Sequence, residues 1–388
     1  MRILHTADWH LGRLFNGFSL LEDQAQLLEQ IALMVKEEGP DLLIIAGDVF
    51  DRGNPRREAV ELFDTFLERV YRDSEAAICV IAGNHDAPER IGFGGALHDR
   101  RRVLIRGGLS RPPQPLLLSD EEGGVAVSAI PYAGIFAARD HFDDPGIATP
   151  EDVVVAQMRE ANALLPAKVR QVVVSHTFVA GGRGSDSERS LESAGGIEQV
   201  SPECYGGAAY VAMGHLHRPQ EIALREGTLR YAGSILPFGF DEAEEEKSTT
   251  LLELRWWGVE KLTELPLDPP RRLRVLTGSF DELMRGEQSA AGCFVKLELT
   301  DSLPVPDAMS RLRERYPLAV MLDWVNRRSP GESARVGARR ESLRRPGEVI
   351  DSFFRDLGVE QLEQRQRELV DESLARAIAT RERGEEER

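Results

Sequence analysis

Cysteine is scarce in this chain, which has three in 388 residues, at Cys79, Cys204 and Cys293, and no CxxC pair. This spacing excludes a disulfide framework and a thiolate zinc site, so we expect three small core residues. Long apolar runs are also missing, since none approaches the roughly 18 residues that a membrane span needs. The chain opens directly on a strand pattern, without the charged and apolar regions of a signal peptide. We therefore expect a cytoplasmic protein with no membrane partner.

Three further features are missing. No GxxxxGK[ST] motif occurs, so the chain has no nucleotide-binding P-loop of its own, and no segment repeats at a fixed period. Acidic residues outnumber basic ones: the chain has 48 Lys and Arg and 65 Asp and Glu, which give a net charge of -17. This argues against coating nucleic acid through bulk charge. Arginines nevertheless cluster at 100–106 and 311–345. Two interpretations are open: these arginines contact a phosphate backbone, or they form solvated surface.

The apolar residues, 41% of the chain, are arranged as in an α/β protein. Through about residue 250, short apolar runs alternate with amphipathic stretches. One such stretch, residues 20–39, places apolar side chains at helical spacing and is closed by a glycine. A second helix is predicted over residues 57–71. The length allows more than one domain.

The character of the sequence changes twice after this region. We predict a first α/β domain over residues 1–270 and a small α/β domain over residues 271–340, with strands around a helix at 307–316. Residues 267–275 have the composition of a linker. The last segment, 341–388, has a helical pattern throughout.

Polar residues follow five of the predicted strands, at the point where each strand ends. These residues are Asp8 and His10, Asp48 and Asp51, Asn84, His85 and Asp86, His176, and His215 and His217. Five of the eight histidines of the chain lie in these short segments. Because the carboxyl ends of neighbouring strands face one crevice, the side chains are expected to converge.

Each of these segments has an ordinary alternative interpretation when taken alone. A histidine after a strand is usually a solvated loop residue, and a Gly-Asp pair is usually a turn. The pairs Asp8 with His10 and His215 with His217 differ, because residues i and i+2 of an extended chain point to the same side. Glycines next to three of the segments let the backbone turn sharply and a ligand approach. These glycines are Gly47, Gly83 and Gly214.

The residue types favour divalent metal ions. Carboxylate, amide and imidazole donors without thiolate suit Mn²⁺, Fe²⁺ or Zn²⁺ better than a structural zinc. The candidate ligands are Asp8, His10, Asp48, Asn84, His176, His215 and His217. Seven ligands are too many for one ion, but two ions that share the Asp48 carboxylate would use them all. Such pairs serve in-line displacement at phosphorus.

The ordered motifs DWH, GDVFD, GNHD, SH and GHLH resemble those of the calcineurin-like metallophosphoesterases. This resemblance implies a β-sandwich flanked by helices, with a small α/β capping domain that binds DNA and a helical tail. The longer stretches LHTADWHLG, GHLHRPQ and YAGSILPFGFDE are similar to family members that serve as nuclease subunits of bacterial coiled-coil ATPases.

The resemblance also implies roles for single residues. One ion would be held by Asp8, His10, Asp48 and His217, and the other by Asp48, Asn84, His176 and His215. His85 would contact the phosphate or protonate the leaving oxygen, with Asp86 beside it to fix its ring. Asp51 stands where archaeal and eukaryotic relatives tend to have a histidine. Its role stays open between a support for the site and a turn residue.

The implied activity is a Mn²⁺-dependent 3′ to 5′ exonuclease on duplex DNA ends and an endonuclease at hairpins. Partners implied with it are DNA, a coiled-coil ATPase and a second copy of the chain, paired through helices at about 57–71 and 87–100, in a heterotetramer. The tail offers one apolar helical face for the ATPase, unless that face packs on the chain's own core. This face consists of Val349, Ile350, Phe353, Phe354 and Leu357.

Two other functions use the same motifs. A phosphatase or phosphodiesterase that acts on a small nucleotide would keep all five, but it would usually lack the second domain and the tail. A non-catalytic scaffold would be expected to lose a ligand or His85, and the sequence retains them all.

Overall fold

The computed structural model describes residues 1–95, 102–109, 113–188, 199–286 and 288–325. The chain divides into two compact units, Met1–Glu298 with Pro306–Asp323, and Leu299–Val305 with the residues from Trp324 onward. The predicted tail at 341–388 lies outside the described residues, and the predicted domain boundaries stay predictions.

The strands and helices follow one another in the alternating order that the sequence indicates. The strands are β1 (Arg2–Thr6), β2 (Leu14–Phe15), β3 (Phe18–Ser19), β4 (Leu42–Ala46), β5 (Ala77–Ile81), β6 (Val103–Arg106), β7 (Leu116–Asp120), β8 (Gly123–Ile130), β9 (Arg170–His176), β10 (Tyr210–Gly214), β11 (Gln220–Ile222), β12 (Thr228–Tyr231), β13 (Ser248–Arg255), β14 (Gly258–Pro266), β15 (Leu273–Gly278), β16 (Phe294–Leu299) and β17 (Ala319–Trp324). The helices are α1 (Leu21–Glu38), α2 (Arg57–Asp73), α3 (Pro88–Ile91), α4 (Ile135–Phe142), α5 (Pro150–Asn162), α6 (Phe280–Arg285) and α7 (Ala308–Arg313).

Two six-stranded sheets form the body of the first unit. Their strand orders are β14-β13-β1-β4-β5-β6 and β11-β12-β10-β9-β8-β7. Each contains four consecutive parallel strands, β1-β4-β5-β6 in one and β12-β10-β9-β8 in the other. The inward faces of the two sheets share one buried apolar cluster, to which Ile44 and Cys79 contribute from the first sheet and Val127 and Val174 from the second. This is the packing of a β-sandwich.

Helices cover the outer face of each sheet. On the first sheet, α1 buries Leu27, Ile31 and Val35 in the same cluster as Ile45 of β4. On the second sheet, α5 buries Met158 beside β9 and β10. The predicted fold class, an α/β sandwich flanked by helices, is therefore confirmed. Among the described residues, no helix combines the length and the apolarity needed to cross a bilayer.

The local signals for α1 explain its bounds. Its apolar residues recur at helical spacing on the buried side. It ends where Gly39 takes a left-handed conformation, with φ of 55°, and donates its N–H to the Val35 carbonyl. The predicted stop at this glycine is confirmed.

Helix α2 turns its aromatic side toward the chain's own core. The Trp9 ring meets the Phe66 ring edge-on at 5.0 Å and the Phe63 ring at 6.1 Å. Phe66 is buried, and Val60 and Leu67 are partly buried against the same cluster. The apolar face that could have served as a dimer seam is thus largely used inside the subunit.

A small third sheet, in the order β15-β16-β17, follows the sandwich. Strands β16 and β17 and helix α7 fall where the sequence predicts strands around a helix, but β15 begins inside the predicted linker. Phe294 of β16 packs on Phe15 and Phe18, with ring centroids 5.2 and 5.7 Å away. Arg271 forms an ion pair with the buried Asp23 of α1.

The three cysteines are free. Cys79 is fully buried in the cluster between the sheets, as expected. Cys204 is partly buried and packs against the apolar cluster on the outer face of the second sheet, whereas Cys293 is partly exposed and belongs to no described apolar cluster, so the expectation of a core residue is wrong for Cys293.

Candidate metal centre

The polar residues singled out in the sequence converge where the two sheets meet. Asp8 and His10 follow β1, Asp48 follows β4, and Asn84 follows β5, all in the first sheet. His176, His215 and His217 end or follow β9 and β10 of the second sheet. The His215 N–H donates to Asp8 Oδ1 over 2.9 Å, which joins the two sets across the sandwich. The crevice therefore lies between two sheets and not along one.

The backbone in this crevice is not extended. Asp8, His10 and Asp48 have φ of 53°, 46° and 48°, and His215 has φ of 103°. We expected an extended backbone to point both side chains of each i and i+2 pair to the same side. This expectation is wrong, because sharp turns after the strands bring these side chains together. Such conformations cost on the order of 1–3 kcal/mol per non-glycine residue and persist where neighbouring contacts hold them. Here the His10 N–H donates to the Asp48 carbonyl over 3.0 Å.

Asp48 lies at the centre of the site. Its Oδ2 is 3.4 Å from His176 Nε2, 3.7 Å from His10 Nε2 and 3.9 Å from His85 Nε2. Its Oδ1 accepts the His85 backbone N–H over 2.8 Å. Burial acts to raise the pKa of Asp48, but the surrounding imidazoles, His176 above all, lower it well below its ordinary value. One carboxylate oxygen is thus shared among several ring nitrogens.

A first group of donors consists of Asp8, His10 and His217, whose donor atoms lie within 4.8 Å of one another. The Nε2 atoms of the two histidines are 3.1 Å apart. Burial lowers the pKa of both histidines, so each imidazole is kept in the neutral form that a metal ligand requires. The buried His10 Nδ1 has no hydrogen-bond partner among the described residues.

A second group is formed around Asn84. Its Oδ1 lies 3.0 Å from His176 Nε2 and 3.1 Å from His215 Nδ1. His176 Nδ1 donates to the Ala46 carbonyl over 2.8 Å, because a carbonyl can only accept. The Nε2 of the same ring is left facing oxygen atoms of Asn84 and Asp48. Burial opposes a charge on His176, yet Asp48 raises its pKa to about 9. The position therefore favours positive charge, which a proton or a cation can supply.

The donor set of both groups fits divalent cations. Every donor atom is a carboxylate or amide oxygen or an imidazole nitrogen, all seven side chains are at least partly buried, and none is a thiolate. Hard and borderline divalent ions take such mixed oxygen and nitrogen sets.

His85 lies beside the two groups of donors, and the group that orients its ring is not the Asp86 carboxylate that the sequence predicts. Its Nδ1 donates to the Asp51 carbonyl over 2.8 Å, which turns Nε2 toward Asp48. Asp86 does not fix the ring, because its buried carboxylate is occupied by three backbone N–H groups. The donors are those of Val49, Phe50 and Gly83, at 2.9 to 3.1 Å. The predicted support of His85 by Asp86 is therefore replaced by the Asp51 carbonyl.

Burial and the neighbouring Asp48 carboxylate raise the pKa of Asp86 to about 7, against the effect of the three N–H donors. By tying together the turns that follow β4 and β5, Asp86 positions Asp48 and His85 through the backbone.

Four residues of the site are not among the site residues predicted from the sequence, although Glu242 ends the stretch YAGSILPFGFDE. Ser187 and Glu188 come from the loop after β9, and the buried Glu242 and Lys247 come from the segment before β13. Glu188 accepts the His217 backbone N–H over 2.7 Å. Glu242 belongs to the acidic run at 241–246, whose composition is typical of solvated surface, and periodicity gives no sign that this one carboxylate faces inward.

Gly83 leaves no room for a side chain. A Cβ there would collide with Asp48 and lie 2.7 Å from His176 Cε1. We expect Gly83→Ala to displace both side chains, to lower the free energy of unfolding by about 1–3 kcal/mol and to weaken metal binding. Thermal unfolding and metal content by mass spectrometry measure the two effects. Gly53→Ala is the matched control, since its Cβ would meet Ala87 Cβ at an ordinary 3.5 Å. Wild-type metal content in the Gly83 variant would contradict the packing argument.

The family comparison agrees with this site. The family model for calcineurin-like phosphoesterases matches residues 1–219, which is more than half of the chain and spans every predicted ligand. The chain therefore belongs to the calcineurin-like phosphoesterases, and it is a metal-dependent phosphodiesterase.

Within that family the chain resembles a nuclease subunit. It is 29% identical over 377 residues to the D subunit of the nuclease SbcCD from Staphylococcus epidermidis, and the match covers 97% of this chain and 98% of the relative. A second family model, described as the type 5 capsule protein repressor C-terminal domain and designated SbcD_C, matches residues 269–357.

Among solved structures, the chain is similar to the protein TT1561 of Thermus thermophilus, with 14% identity and a TM-score of 0.41 over 68% of this chain and 98% of that one. Another is a dimetal phosphatase from Danio rerio, with 11% identity and a TM-score of 0.41 over 69% of this chain and 99% of that one.

Proposed function

We propose that this chain is the nuclease subunit of an SbcCD-type complex and hydrolyses DNA phosphodiesters with two divalent ions, Mn²⁺ by preference. Its activities would be 3′ to 5′ exonuclease on duplex ends and endonuclease at hairpins, used in DNA repair, recombination and the replication of palindromes. The name of the Staphylococcus epidermidis relative and the near-complete coverage of both chains support this assignment.

The observation that carries the proposal is the position of Asp48, whose Oδ2 lies within 4 Å of three imidazole nitrogens from two sheets. Asp48 would be shared by both ions. The first would also be held by Asp8, His10 and His217, and the second by Asn84, His176 and His215. When bound, such a pair supplies Lewis-acid stabilisation of charge on the phosphoryl oxygens and a nucleophile at neutral pH.

His85 has a separate part in this proposal. Its Nδ1–H is engaged by the Asp51 carbonyl, so the Nε2 edge is the one that can reach a phosphate oxygen. In its doubly protonated form, a ring fixed in this way can donate the Nε2 hydrogen to the phosphate or pass it to the leaving oxygen. This supports His85 as a catalytic group and not a ligand, with Asp86 and Asp51 as its positioning residues.

The open side of the site carries two arginines, both paired with Asp51, whose carboxylate oxygens lie 3.8 Å from Arg13 and 3.3 Å from Arg52. A cavity of about 330 Å³ beside His85 is lined by Arg13, Arg52, Asp51 and the loop residues Ser187 and Glu188. The Arg13 guanidinium lies 4.5 Å from the centre of the Phe238 ring, which fixes it near the cavity. Each guanidinium has five N–H donors, so both arginines could also donate to a phosphodiester at this mouth, although Asp51 and Glu188 offset their charge.

The proposal is tested by incubating the purified chain with Mn²⁺, with and without SbcC and ATP, on a hairpin duplex, a blunt duplex and a chromogenic phosphodiester. We expect cleavage of all three, with the DNA activities stimulated by the ATPase. Cleavage of the chromogenic ester alone, with both DNAs intact even when SbcC is present, would favour the small-nucleotide phosphodiesterase instead. No cleavage of any substrate would refute both.

We propose that the ATPase partner binds the tail. The apolar face around Phe353 and Phe354 lies outside the described residues, so its support is its sequence pattern and the match of the SbcD_C model through residue 357. Burial of each such side chain against a partner contributes about 1.5–3 kcal/mol.

Removal of residues 346–388 is therefore expected to abolish co-purification with SbcC and any ATP-dependent activity. Cleavage of the chromogenic phosphodiester should remain close to that of the full chain, because all predicted ligands precede the tail. Pull-down and the chromogenic assay measure the two outcomes. If the shortened chain loses its metals, the apolar face belongs to the core; if it still binds SbcC fully, the binding site lies elsewhere.

A homodimer within a heterotetramer is part of the same proposal. The apolar side of α2 packs mainly on the subunit's own core, and much of what α2 exposes is charged. A dimer would therefore need additional surface besides α2. Light scattering at tens of micromolar measures whether the isolated chain pairs.

A further inference from the structure

His217 is contacted on its far side by a chain of polar groups. Its Nδ1 lies 2.6 Å from Ser187 Oγ, and the same Oγ lies 2.5 Å from Glu242 Oε1. The other Glu242 oxygen is 2.6 Å from Lys247 Nζ, which also donates to the His217 carbonyl over 2.9 Å. Glu242 and Lys247 are almost completely buried. The chain of contacts thus begins and ends on His217.

The chemistry of these groups fixes the direction of each hydrogen bond. Glu242 is paired with an ammonium and is therefore an ionised carboxylate, which can only accept. The hydroxyl of Ser187 has one proton, which must be donated to Glu242, since otherwise two oxygen lone pairs would face each other at 2.5 Å. Ser187 Oγ is then an acceptor toward His217, so Nδ1 must carry the proton.

His217 Nε2 is then unprotonated and keeps its lone pair. Nε2 is the atom that faces His10 Nε2 at 3.1 Å and belongs to the first group of donors. The reverse arrangement would protonate Nε2 and close that position to a metal. The third contact of Ser187, with Ser185 Oγ at 2.9 Å, fits the second lone pair of the hydroxyl.

We propose that Ser187, Glu242 and Lys247 form a positioning relay that fixes the tautomer of His217 and thereby sets the affinity of one of the two ions. This inference rests on the proposed two-ion site. It assigns a role to the segments PFGFDE, residues 237–242, and EEEK, residues 244–247, which contain no predicted metal ligand. Loss of a group that hydrogen-bonds to the second nitrogen of a metal-bound imidazole typically lowers metal affinity by about 10- to 100-fold.

The test uses the full chain and four variants, with His217→Gln in addition to assign the NMR signal. Ser187→Ala removes the relay at its middle, and Ser187→Thr restores a hydroxyl. Glu242→Gln offers an amide N–H in place of an acceptor and so permits the reverse direction. Ser248→Ala is the control for loss of a serine hydroxyl, because Ser248 is buried next to Lys247 in the chain and its Oγ has no hydrogen-bond partner among the described residues.

Two measurements are made on each variant: a Mn²⁺ binding titration, and the tautomer of His217 in the metal-free protein by NMR of ¹⁵N-labelled histidine, assigned with His217→Gln. We expect Ser187→Ala and Glu242→Gln to weaken one of two Mn²⁺ sites by about 10- to 100-fold and to mix the tautomers. Ser187→Thr and Ser248→Ala should match the wild type.

The relay is refuted if Ser187→Ala binds both ions as the wild type does, or if metal-free wild type carries the His217 proton on Nε2. A different result separates the proposed function from the relay. Suppose that the wild type binds fewer than two ions while Ser187→Ala still changes the tautomer of His217. The proposed two-ion nuclease is then refuted, but the proposal that the relay fixes the tautomer of His217 is retained.

Discussion

Asp48→Ala is expected to lose both ions and all phosphodiesterase activity, the largest effect of any single change in this chain. The carboxylate faces ring nitrogens of both donor groups, because its Oδ2 lies 3.7 Å from His10 and 3.4 Å from His176. Its removal would leave each group short of a negatively charged ligand in a buried site. Metal content by mass spectrometry after equilibration with Mn²⁺ measures the loss.

His217→Ala is the companion variant for this experiment. His217 belongs to the first donor group alone, so its removal should reduce the content by one ion and leave the second near the wild-type level. Two ions retained in the Asp48 variant would overturn its assignment as the shared ligand. Circular dichroism of both variants checks that the fold is intact.

His85→Ala should separate chemistry from metal binding. Its Nε2 is free to meet the phosphate and its Nδ1 is engaged by the Asp51 carbonyl, so the ring can be removed without taking a predicted ligand from either ion. We expect both ions to be retained and the turnover number to fall by about 10²- to 10⁴-fold, the usual contribution of a positioned acid or base. Initial rates on the chromogenic phosphodiester, beside metal content, give the two numbers.

His141→Ala is the control for removal of a histidine, since His141 lies on α4 and belongs to neither donor group. A His85 variant that binds fewer ions would show that His85 is a ligand. A rate equal to that of the wild type would remove it from the chemistry.

The sandwich could be predicted from sequence where local and tertiary signals agree. Helix α1 has its apolar spacing, and Gly39 at its end takes the left-handed conformation that the pattern implies. The start of strand β15 could not be predicted, because Pro269 and Pro270 beside two arginines have the composition of a linker. Its pairing with β16 is a tertiary contact that no short window contains.

The predicted site residues come together in the crevice, but the route by which they do so could not be predicted. The sequence places polar residues after strands, whereas the positive φ of Asp8 and His10 depends on contacts from the turn after β4. Glu242 illustrates the same limit from the other side. This one glutamate of the acidic run is buried because it forms an ion pair with Lys247, whose Nζ also donates to the His217 carbonyl. The composition of the run does not distinguish Glu242 from its neighbours.

The hydrogen bond between Asp8 and His215 has a consequence for how the protein is made, since it joins positions 207 residues apart. At about 5–20 residues per second, synthesis delivers the second partner roughly 10–40 s after the first. Strand β13, the neighbour of β1, is completed later still, at Arg255. During that interval Asp8, His10, Asp48 and Asn84 have left the ribosome without the histidines that complete either donor group. The nascent chain therefore cannot assemble the predicted metal centre until both sheets are present, so an incomplete polypeptide is expected to lack phosphodiesterase activity.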